Sequence, residues 1–285
     1  MNAWRGSARE SPSLIRQHAP RLARHYNLAM PSEHDRRILD QFTRQAAPFA
    51  AAPEIRNPDV LARIIEFAGT APGDTVLDVA CGPGLLACAF AHIARHVTGI
   101  DLTPKMLEQA RAQQRAQGLE NLSWYEGDVR HLPFEDGSFS VVSTRFTFHH
   151  FEEPLAVLKE MRRVCRVGGT VLVADSAPGE ATVEAFNAME RLRDPSHVRA
   201  LPPEELIALF PAAGLSEPRA RLDLLPYELE SFLARSFPPA GNAERIRQLF
   251  EESLTTNRLG LGPVKQDGVI RFQWPLLLVA ASVAP

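Results

Sequence analysis

T-V-L-D-V-A-C-G-P-G, residues Thr75 to Gly84, is the stretch around which the rest of the chain can be ordered. Val76, Leu77 and Val79 form a short apolar, largely β-branched run, as in a strand buried on both faces. The run stops at Cys81-Gly82-Pro83-Gly84, where two glycines permit backbone that a side chain would forbid. Helical spacing then resumes through Leu85, Leu86, Cys88, Ala89 and Phe90. A buried strand, a glycine turn and a helix N-terminus make a cradle for a nucleotide-like ligand.

The strand carries a carboxylate, Asp78, which an anionic pyrophosphate beside the loop would repel. S-adenosylmethionine brings a sulfonium, an amino group and a carboxylate, and no phosphate. An acid near its positive groups and loop amides near its carboxylate would complement it. Gly82-x-Gly84-x-x-Ala87 also satisfies a relaxed dinucleotide fingerprint, so at this point both ligand classes stay open.

At 31.5 kDa and 45% hydrophobic, the chain can bury one large core, with or without an appended lobe. A net charge of -3 exerts no overall pull toward nucleic acid, so a small-molecule partner is expected. Cys81, Cys88 and Cys165 cannot all pair and lack metal-ligand spacing, so no metal site is expected. They read as packed thiols in a reducing compartment, the cytoplasm.

Met1 to Ala29 mixes five arginines with Ser, Pro and His and lacks apolar periodicity. It reads as a disordered tail, with a mitochondrial transit peptide as the alternative; it has no apolar core for a secretory signal. Residues 30–285 read as one domain. Ser32 caps a first helix through Ile38, Leu39, Phe42 and Ala46, and Pro48 and Pro53 bound an expected linker. Asn57-Pro58-Asp59 opens a second helix that Gly69 ends, completing an N-terminal helical segment over 30–70.

Within 71–178, further strands are expected at 96–101, 122–126, 139–143 and 167–174, alternating with helices. This order implies a mostly parallel α/β sheet with helices on both faces and ligands at the carboxyl ends of its strands. Asp78 lies near the first such end, and Asp101, Asp128 and Arg145 lie at or just beyond the next three. Asp101 falls about 20 residues past the glycines, where an acid can grip ribose hydroxyls. Trp274 to Ala284 is apolar but too short to span a bilayer and reads as a buried strand, so no membrane span is expected.

Four blocks together resemble the class I S-adenosylmethionine-dependent methyltransferases, and among them the ubiquinone/menaquinone-type enzymes acting on small molecules. These are V-L-D-V-A-C-G-P-G (76–84), V-T-G-I-D-L-T-P-K-M-L (97–107), E-G-D-V-R-H-L-P-F-E-D-G-S-F (126–139) and L-K-E-M-R-R-V-C-R-V-G-G (158–169). The resemblance implies a Rossmann-like seven-stranded sheet whose last strand, within 269–285, inserts antiparallel. It further implies that Gly82 and Gly84 let backbone approach the methionine moiety, with Ala80 beside them and Asp78 at its positive end. Asp101 would accept from the ribose, Leu102 and Met106 would flank the adenine, and Asp128 and the Val129 amide would meet its edge. Arg145 would border the same pocket.

Beyond strand four, Ser143 to Phe151 resembles the family's stretch between donor and acceptor, so His149 or His150 is the candidate base. At most one should face the acceptor, and the resemblance favours His150. Residues 179–268 are expected to hold late sheet elements and a helical lid over the acceptor, with His197 and Arg199 lining it. The Asn-Pro-Pro-aromatic signature that resembling base-methylating enzymes place after strand four does not occur in the sequence. Methyl transfer to O, N or C of a small molecule is the expected activity. The alternative is a regulatory protein that binds S-adenosylmethionine and transfers nothing.

Overall fold

The computed structural model describes residues 31–285, so the expected tail lies outside the described residues. The chain opens with α1 (Glu33–Ala51), α2 (Pro53–Arg56) and α3 (Pro58–Ala68), then β1 (Thr75–Val79), α4 (Leu85–Ala91), β2 (His96–Asp101), α5 (Pro104–Gln117) and β3 (Leu122–Glu126). It continues through β4 (Phe139–Arg145), a 3-10 turn (Phe148–His150), α6 (Pro154–Val164) and β5 (Cys165–Ser176). The last part comprises α7 (Val183–Arg193), α8 (Pro203–Ala212), β6 (Arg219–Glu228), α9 (Leu229–Ala234), α10 (Asn242–Thr256), β7 (Val264–Gln266) and β8 (Val269–Ser282).

The strands form one sheet in the order β3-β2-β1-β4-β5-β8-β6, with the short β7 paired to β8. Five strands run parallel, and β8 enters antiparallel to β5, as the resemblance implies. The strand count is eight among the described residues, one more than expected, because β7 folds back on the start of β8. Chain order reverses between β1 and β4, which opens the crevice at the carboxyl ends where such sheets bind ligands.

Alternate residues serve opposite faces, so a two-sided core follows from the strand period. Val76 and Leu172 pack with α3, α4 and α7, whereas Leu77, Val171 and Val173 pack with α6 and α8. The buried side of α1 is largely polar: His34, Asp35, Gln41 and Gln45 with Ala46 and Ala50. Ser32 and Asp35 form its capping box. The expected break at Pro48 is absent; the proline sits in the last turn, where its missing amide removes one hydrogen bond, and the helix ends at Ala51. Thr103 makes no side-chain cap on α5; its amide instead donates to Asp101 Oδ1 at 2.8 Å.

Gly84 is the tightest point of the frame. Its φ of +75° is left-handed, and a Cβ there would stand 2.6 Å from Trp124 and 2.7 Å from Ala110. Backbone strain and overpacking together predict that Gly84→Ala destabilises the protein by about 2–4 kcal/mol. Urea unfolding measures this, and a loss below about 1 kcal/mol would mean the loop and Trp124 yield freely.

Candidate active site

The crevice is a cavity of about 440 Å³ at the carboxyl ends of β1, β2 and β4. Asp78, Ala80, Gly82, Asp101, Leu102, Met106, Asp128, Val129, Arg145 and His150 all line it. Gly84 does not; it serves the packing beneath the loop. The turn after β1 is wound left-handed at Ala80 (φ 52°) and Gly82 (φ 53°). That winding presents backbone rather than side chain to the cavity, which is what close ligand approach requires.

Asp101 holds the loop in place. Its Oδ2 accepts from the Gly82 amide and its Oδ1 from the Thr103 amide, both at 2.8 Å. Burial lifts its pKa above the usual carboxylate range, although those two amides oppose the rise. Asp78 is only 1% exposed, and its Oδ2 has no hydrogen-bond partner. Burial, opposed by the charge of Arg145, pushes its pKa up to about 7. An orphaned buried carboxylate oxygen facing a cavity is costly unless a donor or cation fills the place. The amino group of S-adenosylmethionine would do so, and Gly82 leaves room for its methionine end. The donor fits this site.

The roof comes from the N-terminal helix. His34, Asp35, Ile38, Phe42 and Phe49 of α1 line the main cavity, whereas no residue of 179–268 does. The segment 179–268, expected to hold a lid over the acceptor, lines only the smaller cavity behind, through Glu190, Arg193, Asp194, Tyr227, Phe232, Arg235 and Ser236. Arg130 ties the roof to the loop after β3, bonding both Asp128 oxygens at 2.9 Å and Asp35 at 2.8 Å. Burial opposes it, but the bonds from Ser32 and Arg130 hold the Asp35 carboxyl below its usual range. His34 Nε2 adds a contact to the His150 carbonyl at 2.7 Å.

Of the two candidate bases, His150 lines the main cavity and His149 does not. His149 lines a smaller cavity behind it, bounded also by Phe42, Phe49, Phe146, Tyr227, Arg235 and Trp274. His150 Nδ1 lies 3.0 Å from the Ser196 carbonyl. His149 Nδ1 meets Asp175 Oδ1 at 2.5 Å, and both side chains are buried. The expectation for His197 and Arg199 is corrected, since neither lines either cavity. His197 Nε2 is bound to Asn187 Oδ1 at 2.7 Å inside the α7 region, and Arg199 pairs with Glu205 at the surface. Sequence reasoning missed the roof residues and Asp175. The latter lies one residue before the end of β5, and the strand-end rule that found Asp101 would have found it.

The fold and the cradle define the class. A family model described as "Methyltransferase domain" matches residues 77–173. The uncharacterized methyltransferase YcgJ of Bacillus subtilis is 31% identical, with 72% of this chain and 82% of that protein aligned. The ubiquinone/menaquinone biosynthesis C-methyltransferase UbiE of Bdellovibrio bacteriovorus is 35% identical over 45% of this chain and 54% of that one. The crystal structure of the Bacillus subtilis YcgJ protein superposes with a TM-score of 0.73 at 28% identity, covering 80% of this chain and 99% of that one. The chain belongs to this methyltransferase family; it is a class I S-adenosylmethionine-dependent methyltransferase, with S-adenosylmethionine as cofactor.

Asp78 carries the sharpest consequence. Its pKa lies above the ordinary 3.8, so the free fold is penalised increasingly as pH rises from about 4 through about 7. Asp78→Asn removes that penalty. The variant's free form should melt above the wild type at pH 8, with the gain shrinking toward pH 5, while its affinity for S-adenosylhomocysteine drops at least tenfold. A variant that melts lower at pH 8 would show that the charge is compensated within the fold.

Proposed function

We propose that the protein transfers the methyl group to O, N or C of a small-molecule acceptor. The observation that carries this reading is the roofed cavity: α1 closes over the crevice and leaves about 440 Å³ for donor and acceptor together. Its outer walls are the apolar side chains Ile38, Phe42, Phe49 and Phe146. Three buried thiols, each lifted by burial, suit a reducing compartment and add the cytoplasm to the proposal.

S-adenosylmethionine, when bound, supplies a methyl group activated by the adjacent sulfonium. Asp78 accepts from the donor's amino group, Asp101 from the ribose hydroxyls, and Asp128 with the Val129 amide recognises the adenine edge. Leu102 and Met106 flank the ring. The closed roof excludes water and holds the two reactants in line, a contribution of roughly 7–11 kcal/mol to the barrier when alignment is good.

Incubation with methyl-labelled S-adenosylmethionine and pooled metabolites, read by mass spectrometry, should yield a labelled small molecule and S-adenosylhomocysteine. Binding without turnover of any pool would overturn the proposal in favour of a regulatory S-adenosylmethionine-binding protein. In calorimetry, Asp101→Ala should weaken S-adenosylhomocysteine binding at least tenfold, because it removes charged acceptor bonds of about 1.5–3 kcal/mol each. An affinity unchanged within threefold would remove Asp101 from the donor site.

A further inference from the structure

Behind the main cavity lies the inner one, about 50 Å³ in volume. The two share Phe42, Phe49, Phe146 and His150 as a common wall. Phe146 holds a left-handed φ of 56°, strained for a bulky residue and of the kind that persists at working sites. On the far side of this wall stand His149, Ser176, Tyr227 and Trp274.

His149 is held firmly. Asp175 Oδ2 accepts the amides of Thr147 at 3.1 Å and His149 at 3.2 Å, and Oδ1 accepts the Ser176 amide and the His149 ring. With the Asp175 carboxylate as the acceptor of this bond, Nδ1 of His149 is its donor. The lone pair of the neutral ring therefore sits on Nε2, since the bonds of His149 to Asp175 run through its amide and Nδ1. This is the arrangement of a general base with its orienting carboxylate.

We propose that His149, positioned by Asp175, is the catalytic base, and that it takes the proton from the hydroxyl or enol of a small flat acceptor whose head enters the inner cavity. The inference rests on the methyltransferase reading of the main cavity. As the acceptor O–H bond breaks, its proton passes to His149 Nε2 while an oxygen electron pair forms the new bond to the methyl carbon. The electrons of the broken carbon–sulfur bond stay on sulfur, leaving a neutral thioether.

Size and charge select the acceptor. A space of 50 Å³ holds a hydroxyl and a water or two, not a ring, so the acceptor's body stays among Phe42, Phe49 and Phe146. Around the inner cavity, Glu190 pairs with Arg193 at 2.6 Å, while Arg235 Nη1 stands 3.2 Å from Glu54 Oε2 without a hydrogen bond between them. Asp194 is bonded to Ser196. A carboxylate acceptor would need no base, so the His149–Asp175 pair suits a hydroxyl or enol head.

The expectation that favoured His150 gives way here. Burial and the charge of His149 push His150 down to about 4, which makes it a weak proton acceptor. Burial also pulls His149 down, but Asp175 outweighs it and holds His149 above the usual histidine value. The other groups facing His149 are His150, whose ring centroid lies 4.2 Å away, Glu190 and Arg193 from α7, and His197 from the segment after it, while Asp194 faces His150.

4-Nitrophenol, whose absorbance reports its own ionisation, is the probe, added to the full chain saturated with S-adenosylhomocysteine. The bound probe should ionise at least one pH unit below the free probe. His149→Gln should restore the free value while keeping S-adenosylhomocysteine affinity within threefold, and Asp175→Asn should move the midpoint part of the way. In the wild type, probe binding should shift the ¹⁵N resonance of His149 Nε2 toward its imidazolium position, a readout that needs no variant. Failure of the probe to bind, an unmoved resonance, or the same midpoint in His149→Gln would overturn the inference and leave the donor site intact. Failure of wild type to bind S-adenosylhomocysteine would instead overturn the methyltransferase reading, and this inference with it.

Discussion

The structure turns on a carboxylate buried where it has too few partners. Asp78 sits at the centre of the sheet, with β2 on one side and β4 on the other, its neighbours in register being Gly99 and Ser143. Ser143 Oγ stands 3.5 Å from one oxygen, the Arg145 charge and the Ala87 amide favour the ionised form, and the second oxygen has no hydrogen-bond partner in the chain. Such a group costs the fold free energy that a donor or cation brought by a ligand can offset. The left-handed turn, the Asp101 brace on Gly82 and the roof of α1 all enclose the space that the missing partner would occupy.

Much of this was legible because the parallel strands are buried on both faces and so read as continuous apolar runs ending in acids. β6 was not legible. Arg219–Glu228 lies at the sheet edge, where Leu222 and Leu224 are exposed and Pro226 can sit without breaking an inner ladder. Its R-A-R-L-D-L-L-P-Y-E carries neither clean alternation nor a sustained apolar run. The roof was hidden for a different reason. Helical periodicity showed that Phe42 lies on one face of α1, but a period does not say whether that face meets core or cavity. His197 and Arg199 misled because their types suit a binding site, whereas their partners, Asn187 and Glu205, are local.

Two neighbouring imidazoles show how environment separates residues of the same type. His149 and His150 have ring centroids 4.2 Å apart, yet one faces a carboxylate and the other a carbonyl. A carboxylate stabilises the protonated ring, and a carbonyl only fixes the tautomer. With the rings this close, a proton on one disfavours a proton on the other.

α1 docks through polar groups while its phenylalanines point at space meant for ligand. Arg130, the His150 carbonyl and the Ser236 carbonyl, which accepts from Gln41 and Gln45 at 2.8 and 2.9 Å, hold its inner side. Water can replace such bonds, whereas the apolar part of the docking is confined to Ala46, Ala50 and the packing of Phe49 on Ala52, Ile55 and Leu85. Once both reactants are in place, Ile38, Phe42 and Phe49 gain contacts that water cannot replace. The roof is therefore held at its edge by bonds that water can replace, while the aromatic part of it meets whatever fills the cavity.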